Sequence, residues 1–129
     1  MNVRRNHILL LDGDEQALFD LQQELEQDGF DVTATWDSAE ALELAHSRQF
    51  DLLVVSDHPP QVTGSEILRE VQCIRVDLPC VILQTGRNAF DPEYFYSLGA
   101  AGVIATRRPS EIARWLRQRL GERAAAAAG

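Results

Sequence analysis

The chain has 129 residues, a length that suits one compact domain. Apolar residues make up 45% of it and charged residues 25%, which provides for one core and excludes a disordered chain. The net charge of −8 argues against electrostatic binding to nucleic acid or to anionic membranes. No apolar run approaches the roughly 20 residues of a membrane helix, and no secretory cleavage pattern is present, so we expect a cytoplasmic protein.

Two residue counts restrict the chemistry. The two cysteines, Cys73 and Cys80, are too few for a disulfide framework or a four-ligand zinc site, so we expect buried thiols. All twelve basic residues are arginine, which excludes any mechanism that needs a lysine.

The charge is distributed unevenly along the chain, because residues 1–66 hold 14 acids and 3 arginines whereas residues 67–129 hold 6 acids and 9 arginines. This asymmetry would allow head-to-tail contact, although it is usually a property of solvated surface.

Short apolar runs alternate with amphipathic stretches along the chain. Continuous apolar runs indicate strands that are buried on both faces of a parallel sheet, and apolar residues at three- and four-residue spacing indicate helices. The predicted elements are, in chain order, a strand over 8–11, a helix over 15–28, a strand over 32–36, a helix over 39–45 capped by Asp37 or Ser38, a strand over 52–55, a helix over 66–75, a strand over 80–83, a short helix over 94–98, a strand over 103–105 and a last helix from Pro109.

Five βα units of this kind predict an α/β fold with helices on both faces of a parallel sheet. Ligands bind such sheets beyond the carboxyl ends of the strands, so the residues directly after each strand are the candidates for function. We assign residues 1–123 to this domain. The alanine-rich residues 124–129 would extend the last helix, begin a linker or be an artificial extension, and no function is assigned to them.

The strand-then-acid segment 8–15 and the segment 50–56 are followed by Pro60 and Gly64, at a spacing that resembles the receiver domains of bacterial response regulators. Glu66, Leu78-Pro79 and Gly99-Ala100 continue the match, which covers roughly residues 6–120. The resemblance implies a flavodoxin-like three-layer sandwich with a five-stranded parallel sheet in the order 2-1-3-4-5. It also implies a place in two-component, phosphorelay-type signal transduction.

In that family a phosphoryl group passes from a partner histidine kinase to an aspartate after the third strand. The resemblance implies that two acids after the first strand and the acceptor carboxylate hold Mg²⁺, a cation that prefers oxygen ligands. A hydroxyl after the fourth strand and a lysine after the fifth contact the phosphoryl group. The corresponding positions here are Asp12 and Gly13 for the acids, Ser56 for the acceptor, Gln84 with Thr85 beside it for the hydroxyl, and Thr106, or Arg107 or Arg108 after a small shift, for the lysine.

Only Asp12 fills its position as the family requires. A serine cannot form the acyl phosphate, and its hydroxyl is a weak nucleophile unless a base activates it. Nothing in the sequence aims His58 at Ser56, so we expect no catalytic pair and no enzyme. We therefore predict a degenerate receiver, or pseudo-receiver, that acts as a phosphorylation-independent protein-interaction module. Its vestigial pocket comprises Asp12, Gly13, Asp14, Ser56, Asp57, Gln84, Thr85, Thr106 and Arg107.

Two alternatives remain open. In the first, Asp57 is a displaced acceptor, Asp12 and Asp14 hold Mg²⁺, and Arg107 replaces the lysine; strand alternation would turn Asp57 to the other face, which weighs against it. In the second, the strand-end crevice of a flavodoxin-like domain senses a small molecule. No cofactor is expected except Mg²⁺ under the first alternative, because Asp14 and Glu15 suit a helix N-terminus better than a metal site.

The expected interaction surface comprises the fourth helix, the fifth strand and the fifth helix. The resemblance implies an aromatic switch at Val103, where the aromatic ring is missing. Four aromatic residues crowd into seven positions, and a short helix cannot bury them all on one face. The candidates are Phe90, Tyr94, Phe95, Tyr96 and Val103, with Arg114 and Arg117 from the basic last helix. The expected partner is a signalling protein, a further domain of the same chain or a second copy bound through this surface; nucleic acid and membranes are not expected partners.

Overall fold

The computed structural model describes residues 5–84 and 91–128, with side chains described up to residue 120. Strands and helices alternate through the whole chain, as the apolar runs predict. The elements are β1 His7–Leu11, α1 Glu15–Gln27, β2 Asp31–Thr35, α2 Ser38–Ser47, β3 Leu52–Ser56, α3 Gly64–Ile74, β4 Cys80–Leu83, α4 Pro92–Ser97, β5 Gly102–Ile104 and α5 Pro109–Ala128. The fifth helix therefore continues through the alanine-rich segment.

The five strands form one parallel sheet in the order β2-β1-β3-β4-β5, which confirms the expected flavodoxin-like topology. Successive residues of β1 point to opposite faces, as a pleated strand requires. Ile8 and Leu10 join the core beneath α1 and α5, whereas Leu9 and Leu11 join the core beneath α2 and α3. The continuous apolar run of β1 is thus explained by burial on both faces.

Local signals set most helix ends. Asp14 and Asp37 accept backbone N–H groups at the first turns of α1 and α2, and Gly29 takes the positive φ of +94° that ends α1. The third helix starts at Gly64, two residues before the predicted start. The reason is tertiary, because the carboxylate of Asp57 accepts the N–H of Gly64 at 2.8 Å and satisfies the helix N-terminus.

Three further details differ from the predictions. The fourth helix begins at Pro92 because Asp91 caps it, and β5 lies one residue earlier than expected. The thiol of Cys73 is exposed, although Cys80 is buried as expected. Burial raises the pKa of Cys80 to about 12.

Among the described residues no helix combines the length and the apolar character that crossing a membrane requires.

Candidate functional site at the carboxyl ends of the strands

A cavity of about 200 Å³ opens beyond the carboxyl ends of β1 and β3, between the N-terminal turns of α1 and α5. The structure brings five of the predicted pocket residues to it. Its lining comprises Asp12, Asp14, Ala17, Asp20, Leu21, Ser56, His58, Leu83, Thr106, Arg107, Pro109 and Ile112. Gly13, Asp57 and Gln84 are not among these lining residues. Thr85 lies outside the described residues.

Ser56 and Asp12 form the buried centre of the cavity. Ser56 is the last residue of β3 and is 2% exposed, and Asp12 is 4% exposed. The Ser56 side chain hydrogen-bonds to the Asp12 carboxylate, which also accepts the N–H of Asp14 at 2.9 Å. The imidazole Nε2 of His58 lies 3.9 Å from Asp12 Oδ1. Burial raises the pKa of Asp12, and the hydrogen bonds and His58 only partly oppose that rise.

Asp14 serves the helix rather than the cavity centre. Its carboxylate accepts the N–H groups of Gln16 and Ala17 at 3.0 and 3.2 Å, which is the expected N-cap role. Gly13 contributes no side-chain ligand at all. A Cβ added at Gly13 would lie 3.4 Å from Val62, an ordinary contact distance.

Asp57 points away from the cavity. Its side chain is buried, and Oδ1 accepts the N–H of Gly64 at the start of α3. A Cβ added at Gly64 would lie 3.2 Å from the same oxygen, so carboxylate and helix end are in close contact. The alternation of β3 thus directs Ser56 to the cavity and Asp57 to α3.

Thr106 stabilises the start of α5. Its hydroxyl donates to Glu111 at 2.7 Å and accepts the N–H of Arg108 at 3.2 Å. Arg107, the next residue, lines the same cavity as Asp12 and Asp14 and brings a positive charge to it. Both Thr106 and Arg107 line the cavity. The geometry is therefore compatible with either residue as the counterpart of the family's lysine.

Residues 8–114 match the response regulator receiver domain family, which is 107 of the 129 positions of the chain. The chain belongs to the response regulator receiver domain family. The response regulator SaeR of Staphylococcus aureus strain USA300 is 34% identical to it over 99 residues, 76% of this chain and 42% of SaeR. The receiver domain therefore spans less than half the length of that curated relative.

Solved receiver structures share the fold. The CheY-like receiver domain protein of Methanospirillum hungatei JF-1 has a TM-score of 0.82 and 21% identity, covering 92% of this chain and 96% of that chain. The receiver domain of the sensor histidine kinase PA1611 from Pseudomonas aeruginosa PAO1 has a TM-score of 0.78 and 21% identity, covering 92% and 99%. In the PA1611 structure a magnesium ion is coordinated in the active-site cleft. Receiver domains are signalling modules of two-component response regulators.

The residues of this receiver domain do not fit a magnesium ion. Gly13 offers no ligand, Asp14 is engaged at the N-terminus of α1, and Asp12 is engaged by Ser56 and by the Asp14 backbone. Within residues 5–84 and 91–128, no group of three or more His, Cys, Asp or Glu side chains is placed to hold a metal ion. A hard divalent cation would find too few free oxygen ligands here.

Sequence reasoning missed two titratable residues that line the cavity, His58 and Asp20. The sequence alone does not orient His58. An antiparallel bridge between His58 and Val62 turns the loop back and holds His58 beside Asp12. Asp20 carries a local signal, since Ala17, Asp20 and Leu21 share one flank of α1 at helical spacing. That flank could have been assigned to the cavity once α5 was placed beside α1.

Asp12→Asn is expected to raise the free energy of unfolding near neutral pH, because the folded protein buries the Asp12 charge. The pKa of Asp12 is higher in the folded protein than its ordinary value of 3.8. Below pH 3.8 the carboxyl is protonated in both states and does not affect stability. As the pH rises through the pKa of the folded state, the buried carboxyl ionises and lowers the free energy of unfolding. The gain should therefore shrink as the pH falls towards about 4. Urea unfolding across this range measures it, with Asp20→Asn as the exposed control in the same cavity. A pH-independent difference would contradict the prediction.

The surface of α4, β5 and α5 differs in part from the expectation. Phe95 is fully buried, so its assignment to an interaction surface is wrong; it packs under Tyr94 with ring centroids 5.5 Å apart. Tyr96 is 48% exposed, and its hydroxyl accepts the N–H of Val103 at 3.2 Å. Phe90 lies outside the described residues.

The basic residues of α5 do not all face this surface. Arg117 on α5 is half-exposed and pairs with Asp28 at 3.2 Å, so it lies on the flank of α5 towards the end of α1. Arg114 is exposed. Next to β5, Arg119 lies over the ring of Trp115 and donates to the carbonyl of Ala101 at 2.9 Å. The remaining candidates for contact are therefore Tyr94, Tyr96, Val103, Arg114 and, on the α1 flank of α5, Arg117.

Proposed function

We propose that this receiver domain is a degenerate, phosphorylation-independent protein-interaction module of two-component-type signalling. The observation that carries the proposal is the side chain at the end of β3. Ser56, and not an aspartate, projects into the strand-end cavity beside Asp12. An acyl phosphate requires a carboxylate at that place, and a serine hydroxyl without an activating base does not replace it.

The surroundings of Ser56 support the same function. The imidazole Nε2 of His58 lies 3.9 Å from Asp12 Oδ1, and the Ser56 side chain hydrogen-bonds to the same carboxylate. Neither contact makes His58 a base for the serine. The position of the second acid holds Gly13, and the chain contains no lysine to neutralise a phosphoryl group. Because these groups are absent, binding partners rather than phosphorylation set the conformation of the domain. We expect the partner to be another signalling protein or a further domain of the same protein.

A displaced acceptor at Asp57 is the second candidate, favoured only by the presence of a carboxylate beside Ser56. Its geometry weighs against it, because Oδ1 of Asp57 is bonded to the start of α3 on the other side of the strand. To accept a phosphoryl group, Asp57 would have to leave that buried position and uncap α3. Arg107 keeps a positive charge at the cavity but lacks the compact geometry of a lysine.

A small-molecule sensor is the third candidate, and the cavity itself is the observation in its favour. Its volume of about 200 Å³ is below the roughly 300 Å³ at which ligand pockets typically begin. The centre is also occupied by a closed hydrogen-bond arrangement between Ser56, Asp12 and the Asp14 backbone. A protein partner on the outer surface therefore suits the domain better than a ligand within the cavity.

The deciding experiment is an amide NMR titration with Mg²⁺ and then with beryllofluoride, which mimics a phosphoryl group on a receiver aspartate. We expect no saturable shifts at residues 12–14, 56–58 and 103–107. Intact-mass analysis after incubation with acetyl phosphate should likewise find no added phosphoryl group. Labelling that Asp57→Asn abolishes would replace our proposal with the displaced acceptor, and labelling that survives this substitution would point to another acid.

A further inference from the structure

Two aromatic side chains are exposed in the most acidic part of the chain. Trp36 is 63% exposed and Phe19 is 53% exposed. Residues 6–47, which span β1 to α2, contain 11 aspartates and glutamates and no arginine or lysine. Large aromatic side chains left in water are anchors of protein contacts more often than other exposed residues are.

Phe19 lies on the flank of α1 that faces β2. Leu18, Leu21 and Leu25 point into the core, and the flank with Ala17 and Asp20 faces α5. The remaining flank carries Glu26, which lines a cleft together with Asp31 and Val32 of β2. Phe19 precedes Glu26 by two helical turns, so it shares that flank.

Phe19 and Trp36 also lie at the same height along the sheet. Phe19 is seven residues from Glu26, a rise of about 10 Å in a helix. Trp36 is four residues beyond Val32, a distance of about 13 Å in a strand. Because α1 runs back against the direction of β2, both displacements lead towards the carboxyl end of the sheet.

Strand alternation places the indole on the same side of the sheet as Phe19. Val32 and Ala34 pack against the core beneath α1. Thr35 pairs in register with Leu11, which faces the opposite core. Trp36 is the first residue after β2, and continuing the alternation by this one residue returns it to the α1 side, at the open edge of the sheet.

We propose that Phe19 and Trp36 form a docking surface, the α1–β2 aromatic surface, for a lysine- or arginine-bearing segment of a partner protein. Charge complementarity selects this occupant. The exposed carboxylate of Glu15 lies on α1, one helical turn before Phe19, and the exposed Asp37 directly follows Trp36. A cationic side chain gains both from these carboxylates and from the face of an indole, which binds cations better than other aromatic rings. The inference deepens the proposed function by naming a surface and its partner chemistry.

The probe is an amphipathic helical peptide of lysine and leucine, titrated into the labelled protein at physiological salt. The chain has two tryptophans, so its NMR spectrum contains two indole N–H signals. We expect the Trp36 signal to shift saturably and the Trp115 signal, next to Gly102, to stay in place. Trp36→Ala and Phe19→Ala should each weaken binding, the former by roughly tenfold. Val76→Ala is the matched control, because Val76 is 79% exposed but follows α3.

Three outcomes would overturn the proposal. Equal affinity of the Trp36→Ala variant would mean that the peptide senses only the overall negative charge. An equal shift of both indole signals would mean that binding is not confined to this surface. Dilution-dependent Trp36 shifts without peptide, with a doubled mass in sedimentation, would make a second copy the occupant. The titration contains no Mg²⁺ or phosphodonor, so its failure leaves the test of phosphorylation independence unaffected.

Discussion

A variant carrying Gly13→Asp, Ser56→Asp, Gln84→Thr and Thr106→Lys is expected to bind Mg²⁺ and beryllofluoride, whereas the wild-type protein should bind neither. The substitutions add the second acid, the acceptor, the hydroxyl and the lysine that the receiver resemblance requires, and Asp12 already supplies the first acid. At Gly13 the backbone has room for a side chain, since a Cβ would lie 3.4 Å from Val62. At Ser56 a carboxylate would project into the cavity beside Asp12. Three carboxylates at one cavity edge supply the oxygen ligands that Mg²⁺ prefers.

The Kd of the variant for Mg²⁺ should be at least roughly tenfold below the highest concentration at which the wild-type protein still shows no binding, a difference of about 1.4 kcal/mol. Amide NMR titration measures it, and acetyl phosphate should now transfer its phosphoryl group to the new carboxylate at position 56 with release of acetate. The matched control carries the same changes but Ser56→Asn, which keeps size and polarity without the nucleophile. Labelling of that control would contradict the assignment of Ser56 to the acceptor position, and a folded variant that binds neither ion would contradict the assignment of the whole pocket.

Phe95→Ala is expected to lower the free energy of unfolding by about 3–5 kcal/mol, the usual cost of emptying a large aromatic site in a core. Phe95 is fully buried in the core cluster that contains Leu68 and Ile82, and it is the buried side chain of the six-residue helix α4. Its carbonyl also accepts the N–H groups of Leu98 and Ala100. A domain of this size has a total stability of roughly 5–15 kcal/mol, so the loss is a large share.

Urea unfolding measures the loss, and hydrogen exchange should locate the first opening at α4 and β5. Tyr96→Phe is the matched control, because it keeps the neighbouring ring and removes only the hydrogen bond from Val103, worth about 1 kcal/mol. A cost below roughly 1 kcal/mol for Phe95→Ala would contradict its burial and return Phe95 to the surface, where the sequence prediction had put it.

Much of the fold could be predicted because its signals are local. The apolar run of 8–11 marks β1 as a strand buried on both faces, and Asp14 and Gly29 mark the ends of α1 through capping and a positive φ. These interactions form between residues that are close in sequence. The topology order, by contrast, came from the resemblance to receiver domains, because pairing between distant strands leaves no local signature.

The candidate site was predictable as a set of strand ends but not as a geometry. Asp12, Ser56 and Thr106 lie at or just beyond the carboxyl ends of three different strands, and only the parallel sheet brings them to one cavity. His58 could not be oriented from the sequence, since its position depends on the bridge to Val62.

By itself the sequence determined the βα order of a receiver domain, and it predicts that Gly13, Ser56 and Thr106 stand where the phosphorylation chemistry requires other groups. The tertiary structure decided where the side chains point. It put Asp57 under α3 rather than in the cavity, and it turned Phe95 inward while Tyr96 stayed in water. The physical reason is that neighbouring residues differ in direction by about 100° in a helix and by half a turn in a strand. Which of those directions meets the core depends on elements far away in the chain.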